Sequence, residues 1–157
     1  MSSGATQQRW VSELRAFPRL VRVALDDADD AALRRRPAEG EWSAVEVVGH
    51  LIDKMGVWTS RVERVATEDR PFLASFDQDA RVRERAYQWS DPARLLEDLE
   101  AACQRFAELI ERLAEAALER QGVHEENGPM TLRQCVQAPL GSIEGHLAQL
   151  REALSSS

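Results

Sequence analysis

Residues 40–65 read GEWSAVEVVGHLIDKMGVWTSRVERV, and the spacing in this stretch decides the architecture. Ser43 followed by Glu46 is a capping box: the serine oxygen takes an orphan backbone N–H and the glutamate reaches back to the cap residue. Beyond it Val45, Val48, Ile52, Met55 and Val62 fall on one face of a 3.6-residue repeat, and Leu51, Trp58 and Val65 widen that face. An apolar arc this broad needs two neighbours to cover it, as in a bundle of helices. The helix should end ahead of Asp69-Arg70-Pro71.

Three more long helices follow from the same pattern. One runs from about Gln7 to Leu25, with Trp10, Leu14, Phe17 and Val21 on one side and a bend expected at Pro18. The acidic run Asp26 to Asp30 then caps a short helix ending at Leu33. Asp91-Pro92 opens the third long helix, whose Leu95, Leu99, Cys103, Phe106, Ile110 and Leu113 face inward until Gln121-Gly122 stops it. Thr131 and Gln134 form a second capping box at the head of the fourth, with the stripe Leu132, Val136, Leu140, Ile143, Leu147 and Leu150. Pro139 should kink this helix by freeing the carbonyl of Cys135, and residues 155–157 should fray.

The fold expected is therefore all-α, a four-helix bundle in one domain spanning residues 1–157. A connection of about twenty residues, 68–90, separates the second and third helices, with a short helix near 79–86. It is long enough to cross the bundle and leave those two helices parallel, whereas the other two links suit antiparallel neighbours.

Composition limits the function. Hydrophobic residues make up 43% of the chain, enough for a packed core. A net charge of -7 argues against a nucleic-acid backbone or an anionic membrane surface as partner. No apolar run is long enough to span a bilayer, and MSSGATQQRW lacks the apolar centre of a signal peptide, so a cytoplasmic location is expected. Cys103 and Cys135 lie inside apolar stripes and read as packed free thiols. Lys54 is the sole lysine in an arginine-rich chain, a bias that carries no function by itself.

The residues with chemistry are His50 and His146, one on the second helix and one on the last. Imidazoles on separate helices can meet inside a bundle and hold a divalent metal. Ser142 shares the face of His146 one turn earlier, but a neutral hydroxyl is a poor zinc ligand. Asp53, one turn after His50, can act as third ligand, as a hydrogen-bonding orienter of His50, or as a solvated acid. Glu144 points away from His146, and His124 reads as a surface loop residue. Tyr87 and Trp89 can roof a pocket or join the core, and Arg61 and Arg105 can bind an anionic substrate or simply be solvated.

The segment RRRPAEGEWSAVEVVGHLIDKMGVWTSRVERV resembles the DinB family of four-helix-bundle proteins, and the likeness continues through DRPFLASFDQDARV, GVHEENGPMTLRQ and GHLAQL. The resemblance implies a divalent metal, typically zinc or nickel, held by three histidines. One of these matches His50. The other two form an HxxxH turn on the last helix, whose second histidine matches His146 and whose first position is Ser142 here. Loss of one of three strong ligands lowers metal affinity by orders of magnitude unless another group replaces it. The family includes transferases and isomerases that use low-molecular-weight thiols and many members described only as metal-dependent hydrolases. In these a metal would lower the pKa of a bound thiol or water.

Two readings follow. In one the chain is a metal-dependent hydrolase or thiol S-transferase with an altered site of His50, His146 and Asp53 and a small-molecule substrate. In the other the bundle has lost the metal and serves as a small-molecule-binding or homodimeric interaction module.

Overall fold

The computed structural model describes residues 3–155, and its long helices begin where the caps require. Helix α1 spans Ser3–Leu25 and carries Pro18 without breaking. Asp29 caps the short α2 (Asp30–Arg34), accepting from the Ala32 N–H at 2.8 Å. The Ser43–Glu46 box opens α3 (Ala44–Thr67), and Glu46 is further clamped by two hydrogen bonds from Arg36 at 2.8 and 3.1 Å. Strand β1 (Phe72–Leu73), helix α4 (Gln78–Arg85) and a 3-10 turn at Tyr87–Trp89 make the long connection. Helix α5 (Pro92–Arg112) follows under its Asp91 cap, then a 3-10 turn at Glu115–Glu119. A hairpin of β2 (Gln121–His124) and β3 (Gly128–Thr131) precedes α6 (Leu132–Gly141) and α7 (Ile143–Ser155).

The four-helix bundle consists of α1, α3, α5 and the broken α6–α7. Helix α5 packs on both α1 and α3, and α6 and α7 fill the gap on the opposite side. Helices α3 and α5 are parallel. Ser43 at the head of α3 bonds Gln88 just before α5, and Arg120 just beyond α5 holds the Val65 and Glu68 carbonyls at the foot of α3. Helix α1 runs antiparallel to α5, with Gln7 on the Ile110 and Leu113 carbonyls and Arg22 near Glu100. Phe17, Leu51, Met55, Leu99, Phe106, Ile110 and Leu150 meet in the shared core.

The chain departs from the expected picture in three places. The first and second long helices, and the third and fourth, lie across the bundle from each other rather than side by side, because residues 26–43 and 113–131 are long enough to span a diagonal. A three-stranded sheet closes one end, with β1 parallel to β2 and β2 antiparallel to β3, so GVHEENG is a hairpin rather than a loop and the third helix ends at Arg112. The sequence signal for the hairpin was Asn127-Gly128, where Gly128 takes a φ of 73° that suits a tight turn. The break in the last helix falls at Ser142, three residues after Pro139. Of the tail expected to fray, Ser155 ends α7, and residues 156 and 157 lie outside the described residues.

Candidate functional site

The break at Ser142 turns α7 so that His146 faces α3, where His50 waits. The two imidazole centroids are 5.2 Å apart in an edge-on arrangement, and Trp42 covers the other face of His50 at 4.8 Å. His50 is 1% exposed and its Nδ1 is buried without a partner. The pairing inferred from two remote stretches of sequence is thus a physical contact.

The group between α3 and α7 that sequence reasoning missed is Lys54. It stands one turn after His50 and extends toward the last helix. Its Nζ donates to Ser142 Oγ at 2.7 Å and lies 3.0 Å from His146 Nε2. The signal was present: the sole lysine of the chain sits four residues from the histidine, on its face. Ser142 Oγ in turn donates to the Pro139 carbonyl at 2.9 Å, so it accepts from Lys54 and its own proton is directed elsewhere. Ser142 is therefore held as an acceptor, not activated as a nucleophile. His146 Nδ1 faces Gln149 Oε1 at 3.4 Å, which suits a neutral ring with its proton on Nδ1 and Nε2 receiving the ammonium.

Burial, then the proximity of His146 and Lys54, pushes His50 down to about 4, and burial followed by Lys54 lowers His146. Both rings are neutral near pH 7. Burial also lowers Lys54 from its ordinary value, and no carboxylate pairs with it among the described residues.

Asp53 is committed to a different neighbourhood. It accepts from the Tyr87 hydroxyl at 2.8 Å and pairs with Arg85 at 3.2 Å, and burial raises its pKa. It thereby ties α3 to the connection rather than touching His50. Tyr87 is buried against Gly49, while Trp89 is 79% exposed. His124, expected on the surface, is buried. Its ring lies parallel to Trp58 at 6.2 Å, and its Nδ1 accepts from the backbone of Glu126 and Asn127 to close the hairpin turn. The Arg61 guanidinium covers Trp58 at 4.4 Å. Cys103 and Cys135 are buried free thiols, pushed up by burial to about 12 and about 11.

Lys54 forms part of a cleft of about 190 Å³ walled by Trp58, Arg61, Phe76, Gln78, His124 and the carboxylate-bearing Glu126, where the Ser75 hydroxyl is also buried without a partner. The residues do not fit a divalent metal. Among the described residues no three His, Cys, Asp or Glu side chains gather to hold one. Two neutral imidazoles and a hydroxyl surround a group that is itself cationic, and an ammonium about 3 Å from a divalent ion repels it by roughly 10 kcal/mol at an effective dielectric of ~20.

Residues 13–150 match the model of the DinB superfamily. Among curated relatives, a Bacillus licheniformis protein named "putative metal-dependent hydrolase" is 26% identical over 145 residues, 92% of this chain and 82% of its own. A Geobacillus kaustophilus protein of the same designation is 30% identical over 115 residues, 72% of this chain and 64% of its own. The solved structure of YfiT from Bacillus subtilis, described as a probable metal-dependent hydrolase with an unusual four-helix bundle topology, superposes with a TM-score of 0.87 at 22% identity. That match covers 98% of this chain and 87% of YfiT. A mycothiol-dependent maleylpyruvate isomerase superposes with a TM-score of 0.72 at 13% identity, over 96% of this chain and 63% of the isomerase.

Proposed function

The chain belongs to the DinB superfamily, and from that premise we propose that it is a metal-independent member, a small-molecule-binding protein in which the Lys54 ammonium stands where the family carries a metal ion. The observation that carries this reading is the position of Lys54 Nζ, 2.7 Å from Ser142 Oγ and 3.0 Å from His146 Nε2. These are the two positions of the last-helix HxxxH turn. An ammonium has three donors and a positive charge, so it binds an anionic or carbonyl oxygen as a metal would. It does not generate a metal-bound thiolate or hydroxide. The ligand class that suits an unpaired cation beside Arg61, Trp58 and His124 is a small anionic molecule with an apolar or aromatic part. Orphaned Ser75 Oγ offers a further hydrogen bond in the same cleft.

One observation favours a second reading. The His50–His146 pair is retained and His50 Nδ1 is free to bond, which suits the metal-dependent hydrolase named for the relatives, or a thiol S-transferase, if Lys54 turns out of the site. Zinc and nickel titrations of untagged, chelator-free protein separate the two. The proposal expects no binding at micromolar metal. Uptake of about one equivalent, lost in His50→Ala and in His146→Ala, would establish the second reading.

A further inference from the structure

A separate cleft of about 500 Å³ lies between α3, α4 and α5, roughly a third of a turn around α3 from Lys54. Five arginines line it: Arg61 and Arg64 from α3, Arg81 and Arg85 from α4, and Arg105 from α5. This clustering runs against the chain's net charge of -7. Two of the five have carboxylate partners. Arg85 pairs with Asp53, the acid in the cleft floor, and Arg64 pairs with Glu68. Arg81 lies over the Phe76 ring at 5.8 Å without an ion pair, and Arg105 has no partner among the described residues.

Arg61 is the most informative of the five. It is 6% exposed, it lies over Trp58 and donates to the Ala74 carbonyl at 2.6 Å, and among the described residues no carboxylate forms an ion pair with it. Its remaining guanidinium N–H groups open onto the cleft, where an anion can complete their hydrogen bonding. The arrangement brings Arg61, Arg81 and Arg105 from three helices to one cavity, none of them in an ion pair among the described residues, with Asp53 acting on Arg81 and Glu126 on Arg61 only at longer range, a geometry matched to bidentate recognition of phosphate or carboxylate oxygens.

We propose that this cleft is a binding site for a small, multiply charged anion, a phosphate ester or a polycarboxylate, distinct from the Lys54 cleft. Arg61 lies between the two and Arg81 and Arg105 grip the ligand from opposite walls. Calorimetric titration of the full chain at low ionic strength with pyrophosphate and with citrate tests it, with sodium chloride at matched ionic strength as the control. Saturable binding of at least one probe is expected, and which of the two binds more tightly identifies the oxygen chemistry. Arg105→Ala, at an exposed position, and Arg81→Ala, at a half-buried one, should each weaken it by about tenfold. Lys54→Ala should leave it unchanged. Heat no greater than the chloride control for both probes would overturn the proposal. So would binding that survives the two arginine substitutions and is lost in Lys54→Ala.

Discussion

Removing Lys54 and restoring a histidine at position 142 should convert this protein into a metal binder. In the Lys54→Ala, Ser142→His double variant, zinc affinity is expected to rise by about three orders of magnitude over the parent chain. The physical reason is that two obstacles act together. Ser142 supplies a neutral oxygen where a strong nitrogen ligand is needed, and Lys54 supplies a positive charge 3.0 Å from His146 Nε2, one of the two imidazole groups already in place. Neither change alone suffices. Ser142→His leaves the ammonium among three imidazoles, where it repels any divalent ion and donates to the ring that should coordinate. Lys54→Ala leaves a site of two imidazoles. The singles should therefore gain far less than the double, a strongly non-additive cycle. Titrating all four proteins with zinc under one buffer measures it. A Ser142→His variant that binds as tightly as the double would show that Lys54 leaves the site at no cost, and the tethered-cation reading would fail.

The second large effect concerns Gly49, the residue before His50. A β-carbon there would lie 2.2 Å from two ring carbons of Tyr87 and 2.7 Å from a third. The ring cannot simply swing aside, because its hydroxyl is bonded to buried Asp53. Gly49→Ala therefore either overpacks the contact or expels Tyr87 and strips Asp53 of a hydrogen bond. Alanine regains about 1 kcal/mol of helix propensity, but overpacking and a lost buried hydrogen bond outweigh it. The net loss of stability should be about 2–4 kcal/mol. Urea unfolding of Gly49→Ala measures this, and the same substitution made in Tyr87→Ala should be neutral or slightly stabilising. An equal loss in both backgrounds would show that the ring is not the cause.

How much of this was legible in the sequence depends on the range of each interaction. Ser43, Glu46, Thr131, Gln134 and Asp91 act on backbone groups within one helical turn, so their capping roles could be read directly. The apolar stripes likewise imply the bundle, because periodicity is local. The meeting of His50 with His146 followed from the number of helices and from the family resemblance. Three features needed tertiary information. Asp53 was placed beside His50 by helical angle, but Tyr87 and Arg85, more than thirty residues away, capture it instead. His124 looked exposed because acidic residues flank it, and it is buried because the hairpin lays it on Trp58. Lys54 is legible only as the sole lysine of the chain, since nothing local shows that a long flexible cation will find Ser142 across the bundle.

The central claim is that an ammonium, not a metal ion, lies between α3 and α7. A crystal structure of the parent chain grown with excess zinc, with data collected at the zinc absorption edge, tests it most directly. Lys54 Nζ is expected to bridge Ser142 and His146, with no anomalous peak between the two histidines. A peak ligated by His50 and His146, with Lys54 turned toward solvent, would contradict it.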